Sequence, residues 1–435
     1  MIIMKFGGTS VGSPERIKSV VNLINDGKPK IVVLSAMSGT TNALVKISEL
    51  LYSGNKEADA EIKRLEDKYE SVVTELFATK KYRDKAIETV KERFDLLRCF
   101  SGGTFDSIAE CTVLAQGELL STALTHLYCE ESNISSVLLP ALNFMRIDRN
   151  GEPDSYYIKE QITRELKPYP EIKLFITQGF ICRDADGEIS NLKRGGSDYS
   201  ASLIGKATGA KEIQIWTDID GFHNNDPRYV KNTKAIKELS FDEAAELAYF
   251  GAKILHPASV WPAQEANIPV LLKNTMEHWA EGTVISSKTN DEGIKAIAAK
   301  DNITAIKIKS GRMLMAYGFL RKVFEVFESY RTPIDMITTS EIAVSLTIDN
   351  VEYLEQIVRD LKLYGSVAID RNMTIICIAG NNIMNCKNSI SKIFQALDKI
   401  PVRMVSHGGS RHNISILTDS EHKAEALNKL SEYLF

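Results

Sequence analysis

Lys5-Phe6-Gly7-Gly8-Thr9-Ser10 lies where an apolar run, Ile2 to Phe6, gives way to a helical pattern opened by Ser13 and Pro14. Adjacent glycines let a backbone approach a phosphate closely, and free amide hydrogens with a lysine side chain supply positive charge to it. Ser13 suits a helix cap and Pro14 a first helical position. A Gly-Gly turn also occurs as a plain turn with its lysine merely solvated, so this string indicates an anion site without deciding it. The chain has no GxxxxGK followed by Ser or Thr, no protein-kinase HRD and DFG elements, and no HExxH. The GxGxxG of a dinucleotide site is also absent, which disfavours an NAD-dependent dehydrogenase.

Similar small or polar residues follow other apolar runs. Ile31 to Leu34 leads into Ser35-Ala36-Met37-Ser38-Gly39-Thr40-Thr41, Leu174 to Thr177 into Gly179, Ile213 to Thr217 into Asp218-Ile219-Asp220-Gly221, and Val270 to Lys273 into Asn274-Thr275. Short runs alternating with helical patterns predict an α/β domain with a largely parallel sheet, whose ligands bind beyond the carboxyl ends of the strands. This domain is expected to span 1–292. Between Asn55 and Arg98, Lys and Glu abound while Leu65, Tyr69, Val72, Val73 and Leu76 recur at helical spacing, which predicts a solvated helical pair on the surface.

Beyond about Gly293 a pattern repeats. Pro333-Ile334-Asp335-Met336 leads into Ile342 to Asp349, and Pro401-Val402-Arg403-Met404 leads into Asn413 to Asp419. Strand patterns at Ile303 to Ile308 and Met373 to Ile378, with flanking helical patterns, give a β-α-β-β-α order twice. The expected region is 293–435, with modules at about 303–370 and 371–435 and strands open to exchange between them.

Bulk properties set the outer limits. A chain of 435 residues, 44% hydrophobic and 25% charged, suits two or three globular domains. Its formal net charge of -4 gives no basic excess for nucleic acid or an anionic membrane. The short, glycine-rich start is not expected to act as a signal peptide and no run of about 18 apolar residues occurs, so a cytoplasmic location is expected. The six cysteines, without CxxC or neighbouring His ligands, read as reduced thiols, and no resident metal site is expected.

Together with KFGGTS, the blocks Leu34 to Asn42, Gln116-Gly117-Glu118, Gly179-Phe180-Ile181, Arg194 to Tyr199, Thr217 to Gly221, Asp226-Pro227-Arg228 and Phe250 to Pro257 resemble, in order, the amino acid kinase family and within it the aspartate kinases. The resemblance implies a three-layer α/β/α kinase domain followed by two ferredoxin-like ACT modules, and transfer of the ATP γ-phosphoryl to the side-chain carboxylate of aspartate. It implies Lys5 and Asp198 as catalytic, and Ser35, Thr41, Glu118, Phe180, Arg194 and Ser197 around the substrate. Gly7, Gly8, Thr217, Asp218, His223, Arg228 and Lys253, with Lys5, are implied for ATP, and Mg2+ is carried on the phosphates. Met313, Phe319, Leu320, Ile334, Asp335, Ser340 and Glu341 match the effector positions of the lysine-sensitive type, with lysine or threonine as effector. A homodimer through the ACT modules, or a dimer of dimers, is the implied assembly.

Bland readings stand beside these: Glu118 as helix surface, Asp198 as a cap, Asp226-Pro227-Arg228 as a turn, and Phe319, Leu320 and Ile334 as module core. Three positions depart from the family pattern. Lys193 stands where glycine is usual, His223 where tyrosine is usual, and Ala316 where the lysine-sensitive type has serine. The alternatives are a glutamate or acetylglutamate kinase, or an amino-acid-sensing subunit without catalysis.

Overall fold

The structure is a computed structural model that describes residues 1–192, 195–251, 255–287, 292–311 and 317–435. It divides into two compact units. The first comprises Met1–Gly221, Lys237–Phe241 and Leu255–Ser287, the second Phe222–Ile236, Asp242–Ile254 and Lys288–Phe435.

In chain order the elements run β1 (Ile2–Phe6), α1 (Pro14–Ile24), β2 (Lys30–Leu34), α2 (Thr40–Tyr52), α3 (Glu57–Leu76), α4 (Lys80–Arg98), α5 (Ser107–Glu131), β3 (Val137–Leu139) and α6 (Ser155–Leu166). They continue with β4 (Leu174–Gln178), β5 (Ile181–Arg183), β6 (Ile189–Asn191), α7 (Gly196–Thr208), β7 (Ile213–Thr217) and β8 (Glu238–Ser240). Then come α8 (Phe241–Tyr249), which belongs to the second unit past its first residue, α9 (Trp261–Glu265), β9 (Val270–Asn274) and β10 (Thr283–Ser286).

The eight-stranded sheet of the first unit has the order β3-β4-β2-β1-β7-β9-β10-β8. It is parallel from β3 to β9; β10 turns back against β9, and β8 runs parallel to β10. All five residues of β2 and of β4 are buried, as expected for strands covered on both faces. Met4, Phe6, Val32 and Leu34 share one core with α1 to α5. On the other face α7 lies so close that a Cβ on Gly205 would stand 2.6 Å from Ile213 Cδ1. Helices therefore flank the sheet in three layers.

The expected solvated helical pair is α3 and α4, but it is not simply solvated. Ile62, Leu65, Tyr69 and Val73, with Ala86, Val90, Phe94 and Leu97, enter the same core as β1 and β2. The fully buried Tyr69 hydroxyl lies 3.0 Å from Thr40 Oγ1. Abundant Lys and Glu on the outer faces conceal a narrow apolar stripe that commits the pair to α2 and α5.

The second unit continues with β11 (Gly293–Lys309), α10 (Phe319–Ser329), β12 (Ile337–Thr339), β13 (Ala343–Ile348), α11 (Leu354–Leu361), β14 (Ser366–Asn381), α12 (Ser389–Ala396), β15 (Met404–His407), β16 (Asn413–Asp419) and α13 (Lys423–Leu434). Its antiparallel sheet has the order β12-β13-β11-β14-β16-β15. The long strands β11 and β14 pair from Gly293–Asn381 to Lys309–Ser366. One end of β11 pairs with β13 and one end of β14 with β16. Ile306 and Ile308 of β11 enter a core with Phe327 and Leu346, whereas Ile297 of the same strand enters a second core with Ile376, Ile416 and Leu427. The two β-α-β-β-α copies thus share both long strands. For that reason β11 begins at Gly293, before the Ile303 start visible as a pattern.

Residues 222–236 and 242–254 also fold with this unit, although the sequence pattern assigns everything through 292 to the first domain. Ile297 N donates to Asn224 O at 2.9 Å, Asn225 Nδ2 to Leu427 O at 3.0 Å, and Lys295 pairs at 3.3 Å with the fully buried Glu243. Such polar links, with Val230 entering the second core, leave no periodic trace in a sequence. Among the described residues no helix is long and apolar enough to cross a membrane, and the six cysteines form no disulfide.

Candidate active site

The end of β1 and the turn after it are fastened to the carboxyl end of β7 and to the loop after β2. Gly7 N donates to Trp216 O at 3.2 Å, Ser35 N to Phe6 O at 3.2 Å, and Ser38 N to Gly8 O at 3.1 Å. A Cβ on Gly8 would lie 2.8 Å from Ala36 O, so glycine is required by close backbone approach. Ser13 caps α1 by accepting from Arg16 N, with Pro14 at the first helical position, as the sequence predicts.

Lys5 Nζ lies 2.7 Å from Asp198 Oδ1, the two side chains being 12% and 15% exposed. Asp198 sits in the first turn of α7, not at its cap, and its carboxylate is turned onto the lysine of β1. The neighbouring Ser197 hydroxyl accepts from Ser35 Oγ at 2.9 Å. The Gly179-Phe180 block closes this corner. A Cβ on Gly179 would meet Ser197 Cβ and Oγ at 2.4 Å and its backbone Cα at 2.8 Å. Gly179→Ala is therefore expected to destabilise the protein by about 1–3 kcal/mol through forced backbone shift. The measurement is thermal unfolding, and an unchanged Tm would contradict the packing described.

Phe180 has φ +66, a left-handed conformation that costs a bulky residue about 1–3 kcal/mol. Two hydrogen bonds hold it, Phe180 N to Ser200 Oγ at 2.8 Å and Leu192 N to Phe180 O at 2.8 Å. Such strain invites a functional reading, and nothing in a residue string reveals it.

Glu118 projects from α5 and is 5% exposed. Its Oε1 accepts from Ala36 N at 3.1 Å, which ties it to the loop after β2. Burial pushes its carboxyl up to about 7, only partly offset by that backbone hydrogen bond. It is thus no helix-surface acid. Gly117 allows the approach, since a Cβ there would stand 2.7 Å from Ala36 Cβ.

Comparisons with known proteins bear on this corner and on the whole chain. The amino acid kinase family profile matches residues 1–274, and an ACT domain profile matches residues 376–434. Lysine-sensitive aspartokinase 3 of Escherichia coli strain K12 is 32% identical over 448 residues, covering 100% of this chain and 99% of the relative. The chain belongs to the amino acid kinase family, among its aspartokinases. Aspartokinase 3, chloroplastic, of Arabidopsis thaliana is 34% identical, covering 98% of this chain and 80% of the relative. Among solved structures, E. coli aspartokinase III in complex with aspartate and ADP superposes with a TM-score of 0.86 at 31% identity, covering 100% of both chains. The lysine- and aspartate-bound form of the same enzyme gives 0.83 at 31% identity, covering 100% of this chain and 99% of that one.

Other described residues singled out by the aspartokinase pattern have their own local settings. Thr217 ends β7, and its Oγ1 donates to Oδ1 of the following Asp218 at 3.0 Å. Thr41 lies exposed in the first turn of α2. His223 and Arg228 belong to the second unit. There His223 Nδ1 is 2.9 Å from Thr233 Oγ1, and Arg228 folds back onto Asp226 at 2.6 Å, so the Asp226-Pro227-Arg228 turn is real. His256 caps locally, accepting from Ala258 N at 3.2 Å. Arg194, Lys253 and Met313, like Lys193 and Ala316, lie outside the described residues.

At the positions matched in sequence to effector contacts of the lysine-sensitive type, Phe319 and Ile334 pack on the first module's core, whereas Leu320 is exposed. Ser340 and Glu341 are exposed at a turn closed by Ser340 N to Ala343 O at 2.8 Å. Asp335 is buried and already paired with Lys300.

Three polar supports in the aspartokinase corner are not evident in the sequence. Ser200 holds Phe180, Ser121 Oγ donates to Ser35 O at 2.8 Å, and Lys68 Nζ of α3 donates to Ser38 O at 2.7 Å. Ser200 and Ser121 lie on buried faces of α7 and α5, where an unexpected hydroxyl is the available signal. Lys68 has none among so many surface lysines.

Proposed function

We propose that the chain is an aspartate kinase, converting ATP and L-aspartate to ADP and 4-phospho-L-aspartate. The observation that carries this reading is the Lys5–Asp198 pair at 2.7 Å beside the Gly7-Gly8 turn, with Ser35 and Ser197 joined alongside. A side-chain carboxylate with a pKa of about 4 is already an ionised nucleophile at neutral pH, so its attack on the γ-phosphorus needs no general base. The site must instead align two anions and neutralise charge on the phosphoryl group in flight. Lys5 and the amide of Gly8 supply that charge, the Gly7 amide being already given to Trp216 O, and Asp198 fixes where the ammonium points.

Around the substrate, Arg194 holds the α-carboxylate through paired hydrogen bonds. Glu118 receives the α-ammonium, while Ser35, Thr41, Phe180 and Ser197 position the remainder. Thr217, Asp218, His223, Arg228 and Lys253 serve the nucleotide. Magnesium arrives with ATP: the phosphates and water supply most of its ligands, and the described residues contain no group of three His, Cys, Asp or Glu that could cage an ion.

Residues 1–292 carry the kinase segments in this reading, and 293–435 the tandem ACT region. That region senses lysine or threonine through Met313, Phe319, Leu320, Ile334, Asp335, Ser340 and Glu341, in keeping with the lysine-sensitive relative. A homodimer through the ACT modules, or a dimer of dimers, completes the proposal; the exposed Leu320, Phe324, Ile342 and Leu363 supply apolar surface for it.

An ATP-dependent hydroxamate assay with aspartate, glutamate or N-acetylglutamate, repeated with lysine and threonine, tests the proposal. Product from aspartate is expected. Preference for another acceptor would overturn the assignment.

A further inference from the structure

Asp335 has a side chain only 2% exposed. Its Oδ1 takes Lys300 Nζ at 2.7 Å and the Tyr249 hydroxyl at 2.9 Å. Its Oδ2 is buried and accepts no hydrogen bond from the described residues. Lys300, on β11, also reaches Asp349 Oδ2 at 2.9 Å, and its ammonium lies 4.5 Å from the centre of the Tyr249 ring. All four residues belong to the second unit.

A buried carboxylate oxygen without a donor is costly. It marks a place for a hydrogen-bond donor from outside, and beside a carboxylate that donor is best an ammonium. Lys300 stands in its way, because two ammonium groups on one buried carboxylate repel each other while only one is neutralised. Burial already pushes the Asp335 carboxyl up, with Lys300 opposing that shift. Asp349, at 40% side-chain exposure, offers Lys300 a second and better-solvated seat within its present reach.

We propose that Lys300 is a movable counter-ion that sets the affinity of the Asp335 site for amino acids. When a ligand ammonium takes Asp335, Lys300 passes wholly to Asp349. The proposal rests on the amino-acid-sensing role given above to this region and adds what decides ligand strength there. Tyr249 ties the exchange to α8, since its hydroxyl shares Asp335 Oδ1 and its ring faces the Lys300 ammonium. Further anchors of α8 include Glu243 with Lys295 and Glu246 with Asn413. The start of α8 is continuous with the first-unit segment 237–241, and beyond its end, after residues 250–254, the chain re-enters that unit at Leu255. A change at Asp335 thereby reaches the kinase part of the chain through one helix.

The test is calorimetric titration of the full-length chain with L-lysine and L-threonine, paired with inhibition curves. Asp349→Asn removes the second seat and is expected to weaken binding roughly tenfold, whereas Lys300→Met frees Asp335 and should tighten it roughly tenfold, both within the usual range of site coupling. Tyr249→Phe should bind nearly as the unaltered chain does but show several-fold weaker inhibition for the same occupancy. Opposite shifts in the first two variants support the proposal. Equal binding and inhibition in all the proteins, or shifts of one sign, overturn it while leaving the sensing role intact. If Lys300→Met fails to fold by circular dichroism, weaker binding by Asp349→Asn with uncoupled inhibition in Tyr249→Phe carries the proposal, and unchanged values in both overturn it. If the unaltered chain binds neither amino acid, the sensing role falls and this proposal with it.

Discussion

Lys5→Met is expected to lower kcat for aspartate phosphorylation about a hundredfold to a thousandfold, the usual loss when one preorganised charge-stabilising donor is removed. The effect should fall mainly on kcat, because charge on the transferring phosphoryl group peaks in the transition state. Methionine keeps much of the apolar stem, so the variant removes the ammonium more than the packing. Asp198 then remains 15% exposed without its cation, which predicts a second effect, a stability loss of about 3 kcal/mol. The double variant Lys5→Met, Asp198→Asn separates the two. It should recover most of the lost Tm and none of the lost kcat. Recovery of both, or kcat within tenfold of the unaltered chain for Lys5→Met alone, would contradict the role given to Lys5.

Glu118→Gln is expected to weaken aspartate binding about 10- to 100-fold at pH 8, the scale of a charge-assisted hydrogen bond lost. The pH dependence has a definite sign. Burial lifts this carboxyl to about 7 in the folded chain, above its ordinary value of 4.5. Its neutral form is the one the free fold prefers, so its contribution to stability is complete below 4.5 and is lost as pH rises through 7. A substrate ammonium prefers the ionised form. Aspartate should therefore bind more tightly as pH rises from 6 to 8, by up to about tenfold per unit below the pKa. In Glu118→Gln that slope should disappear while the free protein above pH 7 becomes more thermostable. A KM for aspartate that is flat from pH 6 to 8 in the unaltered chain would argue against Glu118 as the ammonium's partner.

The central strands were legible because their chemistry is repetitive. Val32, Val33 and Leu34, or Phe175 and Ile176, can only be buried, and the small and polar residues after them mark the ligand end of the sheet. The pairing of Lys5 with Asp198 was legible only as members of two separate blocks, since no pattern in one chain states that residues so far apart will sit 2.7 Å apart. The positive φ of Phe180 and the hydroxyl beneath it were not legible at all, because strain belongs to the backbone and not to the residue type. The α3–α4 pair misled in the other direction: charge dominated its composition, while a few apolar side chains decided its burial. Segments 222–236 and 242–254 read as kinase sequence yet fold with the second unit, through links such as Asn225 to Leu427 of α13 and Val230 in its core. Asp335 was visible as an acid in a sensing motif, but its partner Lys300 sits on the preceding strand with nothing to set it apart from other surface lysines.

The central claim is that the side-chain carboxylate itself attacks phosphorus, with Lys5 and the glycine turn supplying charge and no base removing a proton. Its most direct test uses L-aspartate labelled with 18O in the side-chain carboxylate, turned over with ATP and then treated with hydroxylamine. Hydroxylamine attacks the acyl carbon and expels phosphate together with the bridging oxygen. Phosphate carrying one 18O atom from each labelled carboxylate is the predicted result; phosphate free of label would contradict the account.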